Sequence, residues 1–185
     1  MIVARPSTPA SHFHLLRRQA YARPRKPLIV FTPKAMLRLR GATSNVEDFT
    51  SGRFEPVLDD ERQLNKDAVK RVLVHSGKIH WDLRSEVEKN PNDEVALVRL
   101  EQLYPTPMDE LKKVTDSYPD AELVWVQDEP ENQGAWPFLA LEFDKVRDRG
   151  FRVVSRAASA SPATGSSKVH ASEQAELLSR ALTLD

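Results

Sequence analysis

The stretch AELVWVQDEPENQGAW, Ala121–Trp136, decides how the rest of the chain is read. Its first half, Leu123 to Val126, is uninterrupted apolar and rich in β-branched and aromatic residues, the pattern of a strand buried on both faces. Its second half crowds Asp128, Glu129, Glu131 and the amide pair Asn132 and Gln133 around Pro130 and Gly134, and helical spacing begins at Trp136. A buried strand that turns directly into a helix is the repeating unit of a parallel sheet covered by helices. The junction is either a site or the device that fixes how this piece docks against something larger.

Four more apolar runs extend the pattern: 27–32 (PLIVFT), 71–76 (RVLVHS), 94–101 (EVALVRLE) and 151–157 (FRVVSRA). Helical periodicities lie between or after them. Ile79, Leu83 and Val87 recur at four-residue spacing, and Met108, Leu111 and Val114 at three. Trp136, Leu139, Phe143 and Val146 define one further apolar face, and Ala171, Ala175, Leu178 and Leu182 another. Pro107, with Asp109 and Glu110 behind it, marks a helix start where acids meet the positive end of the dipole. The alternation predicts a three-layer α/β unit with a five-stranded, mostly parallel sheet. No internal repeat interrupts it.

The segment before Pro27 differs. PASHFHLLRRQAYARPRK forms at most a short helix whose apolar residues are Phe13, Leu15, Leu16 and Ala20, and a helix so sparsely apolar needs a partner. It reads as an N-terminal helical arm, the end of a preceding domain over residues 1–26, joined to a domain over 27–185. Arg5, Arg17, Arg18, Arg23, Arg25, Lys26, Lys34, Arg38 and Arg40 precede the first acid, Glu47. Such a segment is a solvated or acid-contacting arm, or an anion site.

Composition excludes several classes. Lys plus Arg equal Asp plus Glu at 27 each, so no bulk charge draws the chain to nucleic acid or membrane. Cysteine is absent, which removes disulfides, thiolate metal sites and cysteine nucleophiles and makes a reducing cytoplasm the expected location. The first residues lack the apolar centre of a signal peptide, and no run approaches a membrane span.

Three motifs have both a chemical and a plain reading. The turn Ser76-Gly77-Lys78 offers helix-start amides and a lysine to an anion, but it lacks the full phosphate-loop pattern; a capped turn with Lys78 in solvent is the simpler expectation. The histidines at 12, 14, 75, 80 and 170 show no metal-ligand spacing. His75 ends a parallel strand, where ligand crevices lie, yet no paired nucleophile accompanies it, so a satisfied polar side chain is expected. Asp128, Glu129 and Glu131 serve as acid–base groups if buried, or else cap the next helix or pair with a basic arm through Arg17, Arg18 and Lys26.

Six stretches together carry a resemblance: PSTPASHFHLLRRQ, KPLIVFTPKAMLR, SGKIHWDL, VALVRLEQLYPTP, VWVQDEPENQGAW and ASASPATGSSKVHASEQ. In order and spacing the chain resembles the C-terminal end of the thiamine-diphosphate-dependent first component of 2-oxoglutarate dehydrogenase, over essentially its whole length. RxEQLYPxP with EEPxNQGAW is specific to that family; Asp128 stands where the family commonly has Glu, and Ala158 where many members have Pro. SSKVHA and Trp125 are most similar to the actinobacterial branch, whose members are fused to an acyltransferase region.

The resemblance implies a transketolase C-terminal-like fold for residues 27–185. It implies a parent enzyme of the tricarboxylic acid cycle that decarboxylates 2-oxoglutarate oxidatively and passes succinyl to a lipoyl-bearing second component. In the family, thiamine diphosphate and magnesium are held by motifs upstream of this region, so this chain alone is expected to bind no cofactor and to catalyse nothing. The partners implied are the upstream catalytic domains and a second protomer. His14, Arg17, Arg18, Glu129, Asn132, Gln133 and Trp136 are the candidate interface residues, and Phe13, Leu16 and Trp136 the expected exposed apolar patch. An acetyl-CoA effector, known for actinobacterial relatives, places phosphates against Arg25, Lys26 and Lys34 on grounds of charge and position. The chain is expected to begin inside a domain, either as a fragment or as a free-standing interaction module from a split gene that assembles with separately encoded catalytic domains.

Overall fold

The computed structural model describes residues 1–143 and 150–184. The elements run β1 (Ile2–Ala4), α1 (Pro9–Tyr21), β2 (Leu28–Val30), α2 (Val46–Thr50), β3 (Val57–Leu58), β4 (Arg71–His75), α3 (Ile79–Lys89) and β5 (Val95–Leu100). They continue with β6 (Gln102–Tyr104), α4 (Met108–Asp116), β7 (Glu122–Pro130), α5 (Trp136–Phe143), β8 (Arg152–Arg156) and α6 (Ser167–Leu182). Short 3-10 turns cover Lys34–Arg38 and Lys66–Ala68.

The five-stranded sheet has the order β3-β5-β4-β7-β8, with four parallel strands and β3 antiparallel at one edge. Every residue of β4 and β5 is buried, because helices cover both faces. Leu111 of α4 with Leu139 and Phe143 of α5 join Val72, Val74 and Trp125 on one face. Ile79, Leu83 and Val87 of α3 and Leu177 and Ala181 of α6 join Leu73, Val124 and Val126 on the other. This is the expected three-layer α/β unit.

Two assignments shift. The run 27–32 does form a strand, but β2 pairs in parallel with β1 in a second sheet of order β2-β1-β6, and Val57–Leu58 supplies the fifth strand of the main sheet. Strand propensity says that a segment extends, not which edge it joins. On α6 the buried line is Leu177 and Ala181; Leu178 and Leu182 pack at its border while Ala171 and Ala175 stay exposed, so the face is rotated from the one expected. Val146 lies outside the described residues.

The arm has its partner within the chain. Thr8 caps α1 by accepting the Ser11 amide at 3.2 Å, and Leu15 is buried with Ala4 and Phe54 against Leu28 and Val30. Of the expected apolar patch, Phe13 and Leu16 are exposed, but Trp136 is half-buried against the main core.

Candidate functional site

Strand order reverses at β4, which has β5 on one side and β7 on the other. In an open parallel sheet the ligand crevice lies beyond the carboxyl ends at such a reversal. Here those ends bring together three motifs singled out from the sequence: His75, the Ser76-Gly77-Lys78 turn, and Asp128 with Glu129.

The crevice is filled from the N-terminal segment. Arg5 reaches in from the end of β1 and its Nη1 donates to Glu129 Oε1 at 3.1 Å. Gly77 permits the approach, since it holds φ +70 and a Cβ there would stand 2.9 Å from Arg5 Nε. Arg5 Nε and Glu129 Oε2 are buried without hydrogen bonds, as is Ser76 Oγ. Lys78 is not in solvent as expected: it is half-buried and paired with Asp82. Burial works against its charge, but Asp128 and Asp82 outweigh that and raise its pKa. Gln174 of α6 donates to both Asp82 and Asp128, at 3.2 and 3.1 Å. The turn therefore carries a cation already held by Asp82 and facing Asp128, an internal tie and not a phosphate cradle.

His75 is fully buried and bonded at both ring nitrogens. A carbonyl only accepts, so Nδ1 donates to Leu73 O at 2.9 Å; in the neutral ring Nε2 is then the acceptor, and His80 Nδ1 donates to it at 3.0 Å. Burial pushes His75 down to about 4 and drives His80 well below the usual imidazole range. His75 is the satisfied polar side chain expected of it.

The DEPENQGAW segment is built on Gln127, a residue with no role of its own legible in the sequence beyond ending an apolar run. β7 continues past Gln127 through a register shift and pairs again at Pro130 with Arg156, so Asp128 and Glu129 belong to a bulged strand end. The buried Gln127 side chain fixes the turn into α5. Its Oε1 accepts from Trp125 Nε1 at 3.0 Å and from the Trp136 amide at 2.9 Å. Its Nε2 donates to Pro130 O at 3.0 Å and Gln133 O at 2.8 Å. Gly134, at φ +69, lies so close that a Cβ would stand 2.9 Å from the Glu129 Cβ. Asn132 and Gln133 tie down the loop after β8: both donate to Ser159 O, and Asn132 accepts the Ser159 amide. A polar residue ending a doubly buried strand was the available signal for Gln127.

Glu101 was also missed. Wholly buried, it accepts from the Ser7 amide at 2.8 Å and Ser11 Oγ at 2.6 Å, and so pins the start of α1 to the end of β5; burial raises its pKa. The other interface candidates make contacts within the chain. His14 bonds Asp48 O at 2.7 Å and Arg17 donates to Gly52 O at 2.7 Å. Arg18 stacks over Phe54 and donates to Gln102 Oε1, and burial lowers its pKa.

Arg25 and Lys26 are exposed beyond α1, and Lys34 is exposed past the far end of β2. Among the described residues no three His, Cys, Asp or Glu side chains are grouped to hold a metal ion. No helix among them is long and apolar enough to cross a membrane.

A family model described as 2-oxoglutarate dehydrogenase C-terminal matches residues 43–182. The proteins named Multifunctional 2-oxoglutarate metabolism enzyme from Mycolicibacterium vanbaalenii and from Mycobacterium sp. strain JLS are each 46% identical over 189 residues. That alignment covers 98% of this chain and 15% of either relative.

Proposed function

We propose, for a chain that belongs to the 2-oxoglutarate dehydrogenase C-terminal family, that it is the docking portion of a 2-oxoglutarate dehydrogenase. It completes an assembly whose cofactor-binding domains lie elsewhere and has no decarboxylase activity alone. Thiamine diphosphate with magnesium, held by those domains, supplies the carbanion chemistry of decarboxylation. This chain contributes a rigid surface for the upstream domains and a second protomer.

The observation that carries the reading is the open face of the small sheet. Phe31 is 51% exposed, Tyr104 45% and Phe138 39%, and with Val3 and Leu103 they line a mostly apolar cleft of about 770 Å³ that Arg5 and Glu129 also line. Aromatic residues converging on a cleft beside a fixed ion pair have the character of an interface core. The test is assembly. The M. vanbaalenii enzyme lacking the segment that this chain matches is mixed with this chain and followed by sedimentation velocity. A complex that Phe31→Asp weakens supports the reading, and no complex with the unaltered chain contradicts it.

An effector site is the finer part of the proposal. Acetyl-CoA phosphates are assigned to the exposed pair Arg25 and Lys26, with Lys34, also exposed, as the third candidate. In the reassembled enzyme Lys26→Ala is expected to shift the acetyl-CoA activation curve to higher concentration. An unchanged curve removes the site.

A further inference from the structure

The carboxyl end of β5 holds a polar cluster that the docking role does not use. Arg99, at that end, is 3% exposed, and its guanidinium donates to Glu61 Oε1 and, at 3.3 Å, to Ser7 Oγ; its Nε makes no hydrogen bond. Arg84 of α3 donates to the other oxygen of Glu61 at 3.0 Å and to Glu88 at 2.8 Å. His80 closes the back. With its Nδ1–H donated to His75, its Nε2 is left as a bare lone pair, buried and without a hydrogen bond. Two arginines and an unused acceptor therefore converge where one carboxylate sits.

That carboxylate is a plug. Cavities of about 460 and 490 Å³ flank the cluster, and the residues common to their linings are Glu61, Arg84 and Arg99. The Glu61 side chain is half exposed, while the backbone beneath it is fixed through Asp60, which accepts from the Leu97 amide at 2.7 Å and from Arg62 at 2.7 Å. Glu61 is held at its carboxylate by Arg84 and Arg99, between two cavities that share these three residues. Its departure removes the one carboxylate that Arg84 and Arg99 share; Asp60, Glu88 and Asp93 remain in the lining, with Asp60 paired to Arg62 and Glu88 to Arg84.

We propose that Arg84, Arg99 and His80 Nε2 form a binding site for a small oxyanion that carries its own O–H donor, hydrogen phosphate being the simplest, and that Glu61 is the intramolecular ligand that holds the site closed. The oxyanion accepts from the two guanidiniums in the planar geometry they favour, and its O–H satisfies the His80 lone pair. An anion of the same shape without a proton sets its own lone pair against that of His80 and is rejected. Glu61 competes as a tethered carboxylate at an effective concentration on the order of millimolar or more, so the unaltered chain binds weakly.

The test is calorimetric titration of the full chain at pH 7 with inorganic phosphate and, at matched ionic strength, with sulfate, which carries no proton at that pH. Glu61→Ala is expected to bind phosphate at least tenfold more tightly than the unaltered chain and at least tenfold more tightly than it binds sulfate. Adding Arg84→Ala, at a side chain 41% exposed whose loss spares the core, is expected to abolish the gain. Binding no tighter in Glu61→Ala, equal affinity for the two anions, or binding that survives Arg84→Ala would overturn the proposal.

Discussion

Gln127 and Gly77 hold the crevice by unrelated means. Gln127 serves two buried donors and two carbonyls with one amide, so Gln127→Ala leaves them unpaired at about 1–3 kcal/mol per group. A loss of at least ~3 kcal/mol is expected in urea denaturation, and a loss under ~1 kcal/mol would show that the turn stands without it. Gly77→Ala meets both a left-handed φ and the Arg5 guanidinium, and a destabilisation of ~1–3 kcal/mol is expected. Since the clash is with one flexible side chain, Arg5→Ala should relieve part of it; strict additivity in the double-mutant cycle would contradict that contact. Neither role is legible in the sequence. Gly77 reads as a turn and Gln127 as a strand end, and what each touches comes from residues far along the chain.

At the scale of elements, β4 and α3 share the His75–His80 pair, and its protonation sets a pH dependence. Both imidazoles are held neutral with pKa values below the unfolded 6.5. Above pH 6.5 folded and unfolded states bind the same protons and stability is full. As pH falls below 6.5 the unfolded state takes up protons that the fold refuses, and stability drops by ~1.4 kcal/mol per pH unit for each histidine, for His75 until about pH 4. Glu101 acts oppositely, because its raised pKa favours the fold as acid protonates it. The urea midpoint should fall between about pH 6.5 and about pH 5 and fall less steeply in His80→Gln; equal slopes would mean the pair is not buried neutral. The elements themselves were mostly legible. β4, β5 and β7 announce themselves as apolar runs, and Ile79, Leu83 and Val87 as a helix face, since local periodicity reports burial. β3 is two residues long and has no period to read, and the placement of β2 in a second sheet depends on pairing with β1.

Across the whole molecule, the surface carries the functional argument. Phe31, Tyr104 and Phe138 line one cleft, and Phe13 and Leu16 protrude from α1. Alone, the chain is expected to self-associate at concentrations around tens of micromolar, a range where weak apolar contacts act, and Phe31→Asp should reduce this in sedimentation velocity. A concentration-independent monomer would argue against an interface there. The sequence identified α1 as a helix in need of cover and placed Phe13 and Leu16 outside; Trp136, read both as part of an apolar helix face and as part of the exposed patch, packs against the main core as the helix face requires. The candidate site was legible as three separate motifs, but their meeting at β4 and β7 and the arrival of Arg5 are properties of the topology.

The most direct measurement is thiamine-diphosphate-dependent decarboxylation of 2-oxoglutarate by three samples: the purified chain, the M. vanbaalenii enzyme lacking its matched segment, and their mixture. The account predicts turnover in the mixture alone. Turnover by the isolated chain, or equal turnover by the truncated enzyme with and without it, would contradict the claim that this chain acts by completing an assembly.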